Sequence, residues 1–248
     1  MSTIYILWLR QLKRYSRSRA RMIGSLGQPL LFLFALGFGF APIYEKAGGG
    51  DYIQFIAPGV IGMSILFTAV LSGIEIIWER QFGFLKETMV APVPRMHIML
   101  GRTLGGATVA FIQGFVVFLI TFLAGFRPES MLMVPLAFPF MFLIALLFTA
   151  LGTGIACLLQ DFQGFHLFMN FLVMPLFFLS GALFPLEGLP RPIAIMASLD
   201  PLSYGVDALR ITLSGVGHFG LPVDITVLSL VTALFLGIGS YLFSRIQV

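Results

Sequence analysis

LMVPLAFPFMFLIALLFTALGTGIACL, residues 132–158, runs for 27 residues without a single charge. A membrane-spanning helix needs about 20 predominantly apolar residues. This run is therefore long enough to cross a bilayer with tilt, or to bend at Pro135 and Pro139. Working outward from it, further apolar runs lie at about 26–43, 55–77, 103–125, 166–186 and 224–243, separated by short polar stretches. Six spans in one domain, 1–248, follow, and the expected class is an all-α integral membrane fold. Composition agrees, since 58% of the 248 residues are hydrophobic, 10% are charged and the mean hydropathy is +0.98. Soluble domains carry about one quarter charged residues, and one globular core could not bury this apolar surplus.

The charges that remain are topology signals. Lysine and arginine collect in short cytoplasmic loops. With the amino terminus inside, Arg10, Lys13, Arg14, Arg17, Arg19, Arg21, Arg80, Lys86, Arg95, Arg102 and Arg245 fall on the cytoplasmic side, against Lys46, Arg127, Arg191 and Arg210 outside. Both termini are thus expected in the cytoplasm, with external loops near 44–54, 126–131 and 187–223. Residues 1–21 read as an interfacial helix, because Arg10, Lys13, Arg14, Arg17 and Arg21 share one face and Tyr5, Trp8, Leu12 and Tyr15 the other. A cleaved signal peptide is not expected, since the basic stretch starts only at Arg10 and no small-residue cleavage pattern follows Pro29–Pro42. The net charge of +4 lies beside apolar runs, so nucleic acid is not an expected partner.

Several chemistries are excluded by what the chain lacks. His97, His166 and His218 are far apart and fit no H-E-x-x-H pattern, and Cys157 is the single cysteine, so neither a metal site nor a catalytic residue is expected. A phosphate loop needs Gly-Lys-Ser/Thr, yet none of Lys13, Lys46 and Lys86 follows a glycine. The chain is thus not expected to be an enzyme, and ATP and Mg would be held by a partner. Glu75 is the clear intramembrane acid. It reads either as a proton relay in an ion-coupled carrier or channel, or as an interfacial carboxylate paired with a base such as Arg80. The absence of an internal repeat weakens the carrier; a scaffold without transport is a third class. Small-residue spacings at Gly101–Gly105 and Gly152–Gly154 are expected to allow close helix packing.

Two segments fit no plain loop. WERQFGFLKETMVAPVPR, 78–95, sets Glu79, Arg80, Lys86 and Glu87 around Phe82, Phe84 and Leu85, a composition suited to a short helix docking in a partner's groove. Ala91-Pro92-Val93-Pro94 should break it before the next span. On the external side, PLFFLSGALFPLEGLP, 175–190, stays apolar past Ser180-Gly181, and such a segment can dip back into the membrane only where protein or a watery cavity covers it. Asp200-Pro201 is a helix start and Gly215 a stop. Between them Asp207 and Arg210 are spaced to pair.

These residues resemble the type 2 ABC exporter permeases over essentially the whole chain. The marks are the basic amphipathic amino terminus, YIQFIAPGVIGMS at 52–64, ER-x-x-G-x-LKE-x-x-x-AP-x-P at 79–94, the 175–190 segment, and LDPLSYGVDALR at 199–210. The wording is more similar to the drug and lipo-oligosaccharide exporter branch than to the polysaccharide one. The resemblance implies six membrane helices per chain, a permease homodimer, and two ABC ATPase subunits gripping the interfacial helix and the 78–95 loop. It assigns Glu79, Arg80, Gly83, Leu85, Lys86 and Glu87 to coupling, and Phe84 joins them as an apolar member of the same docking loop. It places Gly181, Pro185, Pro201, Tyr204 and Arg210 near an external gate within a re-entrant and amphipathic segment, 180–215. The expected setting is a bacterial cytoplasmic membrane.

Overall fold

The computed structural model describes residues 3–46, 48, 50–90 and 93–246. The amphipathic start forms α1 (Thr3–Arg17), and a non-helical Ser18 separates it from α2 (Arg19–Gly39). The break falls earlier than the charge pattern suggests, so Arg19 and Arg21 open the first span instead of ending the surface helix. After α3 (Ala41–Lys46), the Asp51 side chain accepts the Ile53 N–H and starts α4 (Tyr52–Leu71). A short interruption at Ser72-Gly73 leads to α5 (Ile74–Gln81), then α6 (Phe84–Val90) and α7 (Arg95–Leu123).

The opening run becomes α8 (Val134–Leu158). Next come α9 (Phe162–Phe168), a widened turn over Met169–Val173, and α10 (Met174–Leu179). That turn lies directly ahead of Pro175, which lacks an N–H and whose ring crowds the carbonyl four residues back, and widening the helix there accommodates both. The chain closes with α11 (Arg191–Leu199), α12 (Pro201–Ser214) and α13 (Leu221–Ser244).

No strand occurs among the described residues. Among the described residues six helical stretches are long and apolar enough to cross a membrane: Arg19–Gly39, Tyr52–Gln81, Arg95–Leu123, Val134–Leu158, Phe162–Leu179 and Leu221–Ser244. The all-α membrane fold and the number of spans therefore agree with the apolar runs. All but the fourth begin earlier than expected, and the fifth stops at Leu179, before the apolar segment around Ser180-Gly181. In the centre, every residue of α4 from Ile56 to Leu66 is buried against α7, α8 and α12.

Small residues set the closest approaches. A Cβ on Gly101 would stand 2.9 Å from the Ile4 carbonyl oxygen, and one on Gly105 would stand 2.7 Å from the Gln11 Cβ. This glycine groove on α7 holds α1 along its length, and the Trp8 indole N–H donates to Thr108 at 3.0 Å in the same seam. Close packing, expected for Gly101–Gly105, is what the pair does.

Candidate functional site

Glu75 and Glu79 lie one turn apart on α5 and are both buried, each 6% exposed. Glu79 receives Arg10 from α1 and Arg102 from α7. Glu75 receives Arg21 of α2 at 2.6 Å and Arg14 of α1 at 3.6 Å, while Arg14 also approaches Glu79 at 3.9 Å. Buried charges persist only when paired and hydrogen-bonded, so the cluster ties α1, α2, α5 and α7 together. Next to it, the Tyr15 hydroxyl donates to Gln113 Oε1 at 2.5 Å. Burial raises the Tyr15 phenol, and the nearby Arg21 charge pulls it the other way.

The expected partner of Glu75, Arg80, works elsewhere. Its guanidinium donates to the carbonyls of Leu159 at 2.9 Å, Cys157 at 3.3 Å and Ala156 at 3.5 Å, satisfying the free carbonyl groups at the end of α8. The correction has a geometric cause, because Glu75 and Arg80 are five residues apart and leave α5 in different directions. The stripe Arg10, Arg14, Arg21 matches the stripe Glu75, Glu79 in sign and spacing, and that complementarity was available in the sequence.

The 78–95 segment divides into two parts. Trp78 to Gln81 complete α5; Phe82 and Gly83, the latter at φ +79°, turn the chain into α6. On α6, Leu85 is fully buried, while Phe84, Lys86 and Glu87 are exposed. Trp78 stacks on Phe82 at 4.5 Å, extending an apolar surface beside α6. Ala91 and Pro92, half of the expected break, lie outside the described residues; Pro94 directly precedes α7. The seven residues expected to couple thus separate into outward Phe84, Lys86 and Glu87, the turn at Gly83, and inward Leu85, Glu79 and Arg80.

At the other end of the bundle, α12 is almost wholly buried. Asp200 caps it by accepting the Leu202 N–H at 2.8 Å, and Pro201 occupies its first position. Burial pushes the Asp200 carboxyl up to about 8, opposed by that backbone hydrogen bond. The expected Asp207–Arg210 ion pair is not made. Asp207 accepts the backbone N–H groups of His218, Phe219 and Gly220, at 2.7, 2.8 and 3.3 Å, fastening the approach to α13. Arg210 instead donates to the Gly181 carbonyl at 2.7 Å and lies 4.3 Å over the Phe55 ring.

Of the five residues expected near a gate, Gly181 and Arg210 are in direct contact, and Pro185 and Arg210 line one cavity of about 360 Å³ with Tyr44, Phe55 and His218. Tyr204 faces elsewhere, donating to the Ser198 carbonyl at 2.7 Å and stacking on Phe219 at 4.5 Å.

The ABC-2 type transporter family model matches residues 2–214. The chain belongs to the ABC-2 type transporter family. Among its relatives, Nodulation protein J of Rhizobium leguminosarum bv. trifolii is 29% identical over 83% of this chain and 76% of its own. Nodulation protein J of Sinorhizobium fredii is 25% identical over 94% and 90%. The ycf38 protein of Cyanophora paradoxa, named for transport permease function, is 29% identical over 84% and 72%. As an ABC-2 family member with six apolar helices, the chain is a multi-pass membrane permease subunit of an ABC transporter, and its partner is an ABC ATPase.

Proposed function

We propose that this ABC-2 permease forms the path of an ATP-driven exporter in a bacterial cytoplasmic membrane, as a homodimer joined to two ATPase subunits. Both termini face the cytoplasm, and the ATPases hold ATP and Mg. A hydrophobic or amphipathic substrate, a drug-like molecule or a lipid-linked saccharide, moves outward. The arginine-rich end of the bundle is then the cytoplasmic one, in keeping with the bias of basic residues toward cytoplasmic loops.

The observation that carries this reading is α6. It buries Leu85 and turns Phe84, Lys86 and Glu87 outward, next to exposed Trp78 and Phe82. An apolar surface edged by both signs of charge suits a partner's groove. In this division of work Phe84, Lys86 and Glu87 meet the ATPase, whereas Gly83, Leu85, Glu79 and Arg80 aim α6 and anchor it to the bundle. Gly181, Pro185, Pro201, Tyr204 and Arg210 belong to the gate at the far end. An ion-coupled carrier acting through Glu75 would need that carboxylate free, and Arg21 and Arg14 occupy it.

The test combines Phe84→Ala with Lys86→Ala in the permease expressed with its ATPase. ATPase recovery on the permease, or transport per ATP hydrolysed, should fall about tenfold, as expected when anchors worth over 1 kcal/mol are truncated. Full recovery with undiminished transport would sink the docking role.

A further inference from the structure

Beside the first span, α1, α2 and α4 enclose a cleft of about 380 Å³ lined by Tyr15, Arg21, Gln28, Ser64, Phe67 and Thr68. Its two ends differ in chemistry. Arg21 is the third residue of the first span, at the level where an apolar helix meets the headgroups. Arg21 belongs to a cluster in which positive charge is in surplus, since Arg10, Arg14, Arg21 and Arg102 share the two carboxylates of Glu75 and Glu79. Deeper in, Phe67 gives an apolar wall, and Ser64, 1% exposed, lines the cleft with a hydroxyl that has no hydrogen-bond partner. A buried hydroxyl left unpaired is costly and marks a place where a polar group fits.

We infer that this cleft binds an anionic glycerophospholipid of the adjoining leaflet. Its phosphate lies against Arg21, and its chain follows the wall made by Phe67. Guanidinium and phosphate form strong charge-assisted hydrogen bonds, and the apolar wall selects an amphiphile over a free ion. The site holds whether its occupant is transported or retained, so it does not depend on the export reading.

The experiment uses the permease–ATPase complex, stripped of lipid in detergent and incubated with dioleoylphosphatidylglycerol or dioleoylphosphatidylcholine micelles, with bound lipid counted by native mass spectrometry. Phosphatidylglycerol should be retained about tenfold over phosphatidylcholine, and Arg21→Gln should lower that retention about fivefold, the effect of one basic residue at an anionic surface.

Because Arg21→Gln also removes a partner of Glu75, a second variant leaves the charges intact. A Cβ on Gly24, which also lines the cleft, would meet nothing within 4 Å, so Gly24→Phe starts from open space and brings a ring to the cleft. It should abolish the preference while the ATPase still co-purifies. Equal retention of the two lipids, an undiminished preference in Gly24→Phe, or displacement by excess inorganic phosphate would each overturn the assignment.

Discussion

Replacing Glu79 with glutamine tests whether the arginine cluster holds the arginine-rich end of the bundle together. Glu79 and Arg102 have side chains 8% and 3% exposed, whereas Arg10 is 42% exposed. Removing one partner of a buried ion pair costs about 3–5 kcal/mol, because the other charge is left uncompensated. Arg102 is poorly placed to recover, since its Nε and Nη1 already lack partners. The half-exposed Arg10 contact contributes less than about 1 kcal/mol.

Glu79→Gln should therefore lower the thermal midpoint by about 10 °C, at about 2–4 °C per kcal/mol for a chain of this size. Arg10→Gln should lower it by no more than about 3 °C. In the double variant Glu79→Gln/Arg102→Met both buried charges are gone and most of the loss should be regained, as happens when buried pairs are replaced by apolar groups. Fluorescence-detected size exclusion after heating measures all three. Equal midpoints for Glu79→Gln and Arg10→Gln, or no recovery in the double variant, would refute the reasoning.

Three further outcomes follow from other contacts. Gly101→Leu forces side-chain atoms into the seam where Ile4 and Leu7 sit, so α1 should detach and trypsin should cut at Lys13 and Arg14 about tenfold faster, since cleavage tracks the open population. For Asp200, whose carboxyl is pushed up to about 8, the folded chain prefers the protonated form. Stability should fall as pH rises from about 4 to about 8 and level off above, and Asp200→Asn, which keeps the cap, should flatten that dependence in thermal midpoints between pH 6 and 9. Arg210→Met loses the charged hydrogen bond to Gly181 and should cost about 1.5–3 kcal/mol. The same thermal assay reads it, and Arg210→Lys, which lacks a planar group to lie over the Phe55 ring, should restore only part of the loss.

The spans were legible because each had to be apolar over most of its length, and apolar runs survive in a single sequence. Their ends were less so. Arg19 and Arg21 look like surface charges, yet the break at Ser18 assigns them to α2. The Pro175 interruption was visible, but not that a widened turn would let the helix continue to Leu179. Sequence spacing pairs near neighbours, Glu75 with Arg80 and Asp207 with Arg210, whereas the pairings of the folded chain are tertiary. The partners of Glu75 and Glu79 come from α1, α2 and α7, and those of Asp207 and Arg210 from loops on either side of α12. Glu79 looked like part of an exposed loop because it stands among charges; the fold turns it inward by ending the span at Gln81.

The order in which the cluster's members occur along the chain bears on how the protein is made. A carboxylate entering a bilayer without a counter-charge is expensive, by about 2.5–3.5 kcal/mol for aspartate at the centre of a helix. Glu75 and Glu79 are synthesised after Arg10, Arg14 and Arg21, so the cations that meet them are already at the surface when the second span arrives. Arg102 comes last and finds Glu79 waiting, so it is never inserted as a lone charge. The arginines of α1 and of the start of α2 thus precede in chain order the acids they neutralise. A permease truncated ahead of Arg19 would keep Arg21 for Glu75 but would bring Glu79 to the membrane without Arg10 and Arg14.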